Sequence, residues 1–443
     1  MSEAQQERRK SQLSDRERVR DFQRKLYLKA KREPGFRFYV LYDKICLPHF
    51  MRESFRRIKA NGGSPGVDGV TFSDIEVYGN KKYLSEISEA LKDRSYKPSP
   101  VKRVYIPKAN GQKRPLGIPT IKDRIVQMSC KLVIEAIFEA DFEDSSYGFR
   151  PKRSSKEAVT EIKRNLKQGK AEVFDADLSR YFDTIPHNKL LIVLAQRISD
   201  SKVIHLVKLW LKAPISEDGK ISGGRKNKLG TPQGGVISPL LANIYLHLLD
   251  KLVNNKEMFR RLGIKIIRYA DDFILIGREI PEEIVEYVKR TLSKMGLKLN
   301  LEKSRKVNTY EEGFDFLGFT FRYDNGQKDW KKKYWHIEPS MKSQNKVRAH
   351  IRDYFITNRH KPMPELVQGL NAILRGWMNY FHIPQVSYCR KTFNRLQWHL
   401  HKSLYSHYRK KSQRVSKLYR RYGFDGIVNR FGMIDPSKFI YQK

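Results

Sequence analysis

The chain has 443 residues, 40% of them hydrophobic, with 88 Lys and Arg against 48 Asp and Glu for a formal charge of +40. That length allows about two to four domains, and a charge so far beyond what solubility needs implies a polyanionic partner. No stretch approaches the roughly 18 apolar residues of a membrane-spanning helix, which turns the charge toward nucleic acid, and the 23 Tyr and 23 Phe suit a partner whose unpaired bases stack.

In chain order, the N-terminus lacks the apolar core of a secretory signal and carries too much acid for an organellar one. The cysteines Cys46, Cys130 and Cys389 lie too far apart for a disulfide framework or a zinc site. Both features predict a cytoplasmic protein. Residues 14–59 are charged with an intermittent apolar face (Phe22, Leu26, Phe36, Phe50, Phe55, Ile58), which predicts an N-terminal helical extension over residues 1–60. Asn61 to Gly69 is almost all turn formers, a loop that is either structural or substrate-touching. A helix is predicted around Tyr83 to Leu91. Past Pro98 and Pro100, the runs Val101 to Lys108 and Lys113 to Ile118 flank Asn110-Gly111, the pattern of a basic β-hairpin. Its cations suit a protected edge strand or phosphate contact. Thr120 with Asp123 reads as a capping box for an apolar-faced helix to about Glu139.

Tyr147-Gly148-Phe149-Arg150-Pro151 is a basic, aromatic turn ahead of a helix through Ala158, Ile162 and Leu166. Glu172 to Leu178 reads as a strand whose alternation sends Phe174, Ala176 and Leu178 to one face and Asp175 and Asp177 to the other. The chain then turns through Ser179 to Pro186 into a helix starting near His187, a helix-start residue rather than a catalyst. Gly230-Thr231-Pro232-Gln233-Gly234-Gly235 is a glycine turn leading into a helix with Ser238 as N-cap and Pro239 at its first position. Paired glycines let backbone approach a ligand closely. Next, Ile266-Ile267-Arg268-Tyr269 and Phe273-Ile274-Leu275-Ile276-Gly277 are separated only by Ala270-Asp271-Asp272, a β-hairpin with acid at its tip. Adjacent like charges raise each other's pKa. The pair is therefore unfavourable unless a cation, best a divalent metal, offsets it, although Asp is also an ordinary turn residue. A helix from Pro281 to Gly296, a strand over Leu297 to Lys303 and an apolar β element over Gly313 to Phe321 follow. From Lys331 onward, 24 Lys and Arg against 5 acidic residues make a separate, helical domain of charge +19.

Carboxylates on two β segments, with a basic hairpin before them and a glycine turn between them, suit two Mg²⁺ ions about 3.5 to 4 Å apart that catalyse phosphoryl transfer, a task for hard oxygen ligands. In these motifs and their order the chain resembles the group II intron-encoded reverse transcriptase/maturase family, in its bacterial form lacking the C-terminal endonuclease. Tyr269-Ala270-Asp271-Asp272 is similar to the metal-binding palm hairpin, and Asp177 with Leu178-Ser179-Arg180-Tyr181-Phe182 to the first palm carboxylate and its downstream aromatic. By the resemblance, Asp177, Asp271 and Asp272 are the catalytic metal ligands, and Lys108 and Arg114 hold the incoming triphosphate. Gln233 contacts the nascent base pair, Asn300 and Lys303 follow the hairpin with the lysine serving the leaving pyrophosphate, and Tyr269 and Phe316-Leu317-Gly318 meet primer and template. Gly369 to Phe381 is similar to the maturase or thumb signature, with Arg375, and Arg150 further upstream, as candidate RNA contacts. Phe182 is expected beneath the incoming sugar, where its ring excludes a 2′-hydroxyl, unless it is a core residue.

The resemblance implies an α+β fold with right-hand polymerase architecture: fingers at 61–170, palm at 171–325 and thumb/maturase domain at 326–443. It implies an RNA-directed DNA polymerase using RNA template, DNA or RNA primer, dNTPs and group II intron RNA, with no membrane. Without the cysteine pairs of a His-Asn-His nuclease beyond the thumb, the expectation is no endonuclease and priming from nicks, replication forks or free 3′ ends. The same body plan serves CRISPR-linked and domesticated relatives. The alternatives are a splicing cofactor whose polymerase activity is secondary and an RNA-templated RNA polymerase. Three retained carboxylates argue for activity.

Overall fold

Helices begin where the sequence supplies caps. Ser14 with Glu17 starts Asp15–Arg32, Thr71 with Asp74 starts Phe72–Tyr78, and Ser154 with Glu157 starts Ser155–Lys167, each as a reciprocal capping box. The computed structural model describes residues 13–107, 111, 113–232, 234–325, 333–411 and 417–441; Lys108 and Gln233 lie outside them. The chain forms two units, Met1–Arg153 with Ala176–Ile274 and Pro281–Ser304, and Ser154–Asp175 with Leu275–Ile280 and Arg305–Lys443. Helices combine with largely antiparallel sheets, the expected α+β class.

In the first unit, Asp15–Arg32 and Pro48–Asn61 pack on Ile121–Glu139. This last helix is apolar on nearly every face, with Ile125, Val126, Cys130, Leu132, Val133 and Ile134 all shielded from water. Thr120 caps it through the Asp123 N–H, but the Asp123 carboxylate does not return the bond to the cap backbone. It accepts instead from Tyr96 Oη at 2.7 Å and from the Ser99 N–H at 3.0 Å, so only half of the expected box forms. The basic hairpin pairs β1 (Val101–Pro107) with β2 (Lys113–Ile118), Lys102 facing Ile118 and Pro107 facing Lys113. Two strands not foreseen, β4 (Pro214–Glu217) and β5 (Lys220–Gly223), extend it in the order β2-β1-β4-β5. They are four residues each and weakly apolar, so their sequence carries little strand signal.

β3 (Glu172–Ala176) stops short of Leu178, and Val173 and Phe174 are both buried, so this strand is covered on two faces rather than one. The acidic hairpin is β6 (Lys265–Tyr269) and β7 (Asp272–Gly277). Ser238 is not an N-cap: the helix Ser238–Asn255 is preceded by Ile237, and the Ser238 hydroxyl donates to Pro232 O at 2.9 Å, tying the glycine turn to its helix. Gly296, in the left-handed conformation, ends Glu282–Met295 as expected. The strand expected over Leu297 to Lys303 is absent. A single bridge, Leu178 to Leu299, is followed by a turn, because the Asn300 N–H donates to Asp177 O at 2.8 Å and the Ser304 N–H folds back on Asn300 O.

In the second unit, β8 (Arg305–Asn308) pairs antiparallel with β3, and a three-stranded sheet runs β11-β10-β9 over Phe314–Phe316 (β9), Phe319–Asn325 (β10) and Lys333–Pro339 (β11). The helical domain expected from Lys331 therefore opens with a strand. Its helices, Met341–Thr357, Met363–Phe381, Arg390–Lys411 and Lys417–Phe431, come after.

One carboxylate anchors the first unit's N-terminal region. Asp200, buried, accepts from Leu41 and Tyr42 N–H at 2.9 Å each through one oxygen, and from Lys202 and Val203 N–H through the other as cap of Ser201–Leu211. Asp200→Ala leaves these donors without their acceptor and is expected to cost about 2 to 4 kcal/mol, read from urea denaturation. A loss under half a kcal/mol would show that water replaces the carboxylate.

Candidate active site

The turn between β6 and β7 is strained and tightly backed. Ala270 has φ +59°, a left-handed conformation that costs a residue with a Cβ about 1 to 2 kcal/mol. Arg268, fully buried, holds it there: its Nη1 donates to Ala270 O and to Asn243 Oδ1, both at 2.8 Å, and its Nε and Nη2 grip the equally buried Asp250 carboxylate at 2.6 to 3.1 Å. Behind the turn, Tyr147 N–H donates to Arg268 O, and Arg268 N–H to Ser145 O. Gly148 presses so close that a Cβ there would lie 2.3 Å from Ala270 N, and Asn243 Nδ2 donates to Gly148 O at 2.7 Å. The Tyr147 to Pro151 segment is thus the wall against which the acidic turn is cast.

Arg150 requires a correction. It is buried, paired with Glu139 at 2.7 Å, bonded to Glu143 O and Ser146 O, and stacked 5.1 Å from the Phe142 ring. Its guanidinium is an internal strut, with its donors spent on protein acceptors rather than offered to RNA.

Asp177 leaves β3 beside this turn. Its carboxylate accepts from Lys303 Nζ at 3.0 Å and Asn300 Nδ2 at 3.3 Å, and its N–H donates to Ser304 Oγ. The motif after the hairpin therefore folds onto the first carboxylate. Asp271 is half-buried and Asp272 exposed at its tip. The pKa of Asp271 is raised by burial and by Asp177, with Arg114 and Arg268 opposing. Asp272 is pushed up to about 6 by the surrounding protein mass and then by Asp271 and Asp177, with Lys303 and Arg114 opposing. Among the described residues no three His, Cys, Asp or Glu side chains stand, as placed, where together they could hold a metal ion.

Phe182 and Tyr181 divide their tasks. Tyr181 is buried and donates to Ala242 O at 2.7 Å, while Phe182 is half-buried with its ring edge-on to Tyr181 at 5.6 Å. The glycine turn docks on the backbone here: Thr231 N–H donates to Phe182 O at 2.7 Å, and His187, at a helix start, bonds Gly230 O. Gly234, at φ +110°, sits where a Cβ would be 2.3 Å from Gly117 O of β2, so only glycine lets the turn reach the basic hairpin. Arg114 is exposed on that strand, and Tyr269 half-buried at the end of β6.

In the second unit, Phe316 is buried, and Leu317 (φ +50°) with Gly318 (φ +79°) makes the tight turn between β9 and β10. Tyr380 Oη donates to Leu317 O, and Ser343 Oγ and Ser340 N–H donate to Gly318 O, so both carbonyls of this turn are taken up within the protein. Arg375 is exposed on Met363–Phe381. Sequence reasoning missed Arg268, Asp250 and Asn243 as the supports of the site. The signal was there, as a cation and an acid inside otherwise apolar runs.

Residues 106–321 match the family model described as reverse transcriptase (RNA-dependent DNA polymerase), and residues 344–423 match that of the group II intron, maturase-specific domain. Protein YkfC of Escherichia coli (strain K12) is 35% identical over 336 residues, spanning 68% of this chain and 87% of that protein. Group II intron-encoded protein LtrA of Lactococcus lactis subsp. cremoris is 28% identical over 455 aligned residues, spanning 83% of this chain and 74% of that protein. The solved structure "Partial Cas6-RT-Cas1--Cas2 complex" is similar at 23% identity and a TM-score of 0.36, over 57% of this chain and 42% of that one. No helix among the described residues is long and apolar enough to cross a membrane. The polymerase match covers every acidic residue of the strained turn and its neighbours, and the maturase match covers most of the basic helices after β11: the chain belongs to the group II intron-encoded reverse transcriptase/maturase family and is an RNA-directed DNA polymerase.

Proposed function

We propose that Asp177, Asp271 and Asp272 hold two Mg²⁺ ions for DNA synthesis on an RNA template, and that the chain also binds group II intron RNA to assist its splicing and retrohoming. The observation that carries this is the mutual repulsion of three carboxylates grouped in one unit, with Asp272 pushed up to about 6. Their hard oxygen donors fit a divalent ion, which when bound stabilises the attacking and leaving oxygens of phosphoryl transfer. Lys303, whose ammonium partly neutralises the carboxylates, meets Asp177 through Oδ2, the oxygen that Asn300 also bonds. Lys303 serves the pyrophosphate, and Lys108 and Arg114 bind the incoming triphosphate. Phe182 lies under the sugar, Gln233 meets the new base pair, and Tyr269 with the Phe316-Leu317-Gly318 turn places primer and template. Arg375 is an RNA contact.

In this reading residues 1–60 are an N-terminal extension, 61–170 the fingers, 171–325 the palm and 326–443 the thumb of a right-hand polymerase. The setting is the cytoplasm, where the free, buried Cys46, Cys130 and Cys389 stay reduced.

Asp272→Asn is expected to abolish nearly all primer extension while leaving template affinity unchanged or slightly higher, because it removes a charge that repels phosphate and a ligand the chemistry needs. It should also stabilise the metal-free protein. A carboxyl whose folded pKa lies above its unfolded value destabilises the fold once ionised, a penalty that is absent below pH 4, grows toward pH 6 and is constant above it. The open carboxylate is partly screened, so the melting temperature at pH 7.5 without Mg²⁺ should rise by only about 1 to 2 °C, and by nothing at pH 4. Equal loss of binding and synthesis would make the acids structural.

The half-buried ring of Phe182 next to a buried Tyr181 generates a second expectation. If the ring fills the space of a 2′-hydroxyl, Phe182→Val raises ribonucleotide incorporation selectively, with deoxyribonucleotide use and melting temperature little changed. Unchanged sugar selectivity, or a stability loss of about 1 to 3 kcal/mol with all synthesis reduced, would return Phe182 to the core.

A further inference from the structure

The second unit carries a group of rings that the polymerase reaction does not use. The β10–β11 register sets Tyr323 opposite Trp335, with centroids 4.9 Å apart. Tyr310, just beyond β8, closes on both at 5.1 and 5.5 Å, and Tyr334 lies 5.6 Å from Tyr388. These rings border a cleft of about 300 Å³ that also takes in Lys163, Lys167 and Lys333.

Packing alone does not explain the arrangement. Trp335 is buried, yet Tyr310 is 47% exposed and Tyr388 39%. Three lysines around one small cleft repel one another, a cost that an anion removes. Lys163 is buried and fixed, its Nζ donating to Gln385 O at 2.6 Å and Val386 O at 3.0 Å while standing 4.9 Å over the Tyr388 ring; Lys167 and Lys333 are exposed at the rim. Flat, accessible rings beside exposed cations are what an unpaired nucleotide needs, a face for its base and charge for its phosphate. A base inside a duplex has no free face to offer, and a cleft of this size accommodates one nucleotide rather than a paired helix.

We infer that this cleft binds a single unpaired nucleotide of the RNA that the protein holds, with the base stacked on Tyr310 and the phosphate between Lys167 and Lys333. The inference rests on the reading of the chain as an RNA-binding polymerase and adds a second contact point, built wholly from the second unit.

The test uses the full chain with its polymerase site saturated by a pre-annealed RNA template and DNA primer, in Mg²⁺ without dNTPs. A fluorescein-labelled single-stranded oligoadenylate is then titrated. Tyr310→Ala and the double variant Lys167→Ala/Lys333→Ala should each weaken oligoadenylate binding about tenfold, and the lysine variant should also flatten its salt dependence. Tyr310→Phe should bind within about twofold of the unaltered protein, since stacking needs the ring and not the hydroxyl. Primer extension on the annealed substrate should be the same for all. Unchanged oligoadenylate affinity in Tyr310→Ala and in the lysine variant overturns the inference. So does a Tyr310→Ala protein that loses melting temperature, extension and binding together, which would make the rings packing only. A protein that never extends the primer would count against the polymerase reading instead, while the oligoadenylate comparison could still be read.

Discussion

A buried guanidinium sets the geometry on which the acidic turn depends. Removing Arg268 and Asp250 from water costs several kcal/mol for each charge, and their attraction offsets this only if the remaining donors and acceptors are satisfied. Here they are, by Asn243 and by the Ala270 carbonyl. An apolar pair of similar volume could be as stable or more so. What it could not do is seize the carbonyl of a residue held at positive φ, with Gly148 pressed against that residue's own amide nitrogen. The ion pair is thus better understood as fixing one conformation of the turn than as adding stability.

That fixed turn has an electrostatic consequence. With the backbone unable to relax, Asp271 and Asp272 cannot move apart, and Asp177 adds its charge to theirs. The protein therefore keeps a local excess of negative charge inside a chain of +40. Lys303 and Arg114 lower the cost without cancelling it, since Asp272 remains pushed up to about 6. Stronger compensation would be self-defeating: a site fully neutralised by its own side chains has no affinity left for a divalent ion or for the phosphates that accompany it.

How much of this was legible in the sequence follows from how local each signal is. The acidic hairpin, the glycine turn and the basic hairpin were readable because period, turn residues and charge lie within a dozen positions of one another. Leu297 to Lys303 read as a strand because it alternates, yet its hydrogen bonds go to Asp177, more than a hundred positions away. Arg150 read as a surface cation because its partner, Glu139, and the carbonyls it binds are recognisable only once the turn is folded. Ser238 looked like a cap, but the hydroxyl had a nearer acceptor in Pro232 O. The network of Arg268, Asp250 and Asn243 left a trace as polar residues in apolar runs, but nothing in the sequence says which of them meet.

Charge and rings contribute differently to how such a chain holds RNA. The excess of lysine and arginine draws in any polyanion, and its strength falls with salt because counterions are released in proportion to the phosphates contacted. It does not separate one RNA from another, nor paired from unpaired. The rings around Tyr310 act on another property: a face can be stacked only where a base has left its helix. Of them, Tyr323, Tyr334 and Trp335 stand on two strands bonded along their full length, beside a lysine locked to two carbonyls, and Tyr310 packs on Tyr323 and Trp335. The platform is therefore ordered before RNA arrives, and little conformational entropy remains to be lost when a base lands on it. Long-range charge thus governs how often RNA is met, and a small rigid surface governs which part of it is held.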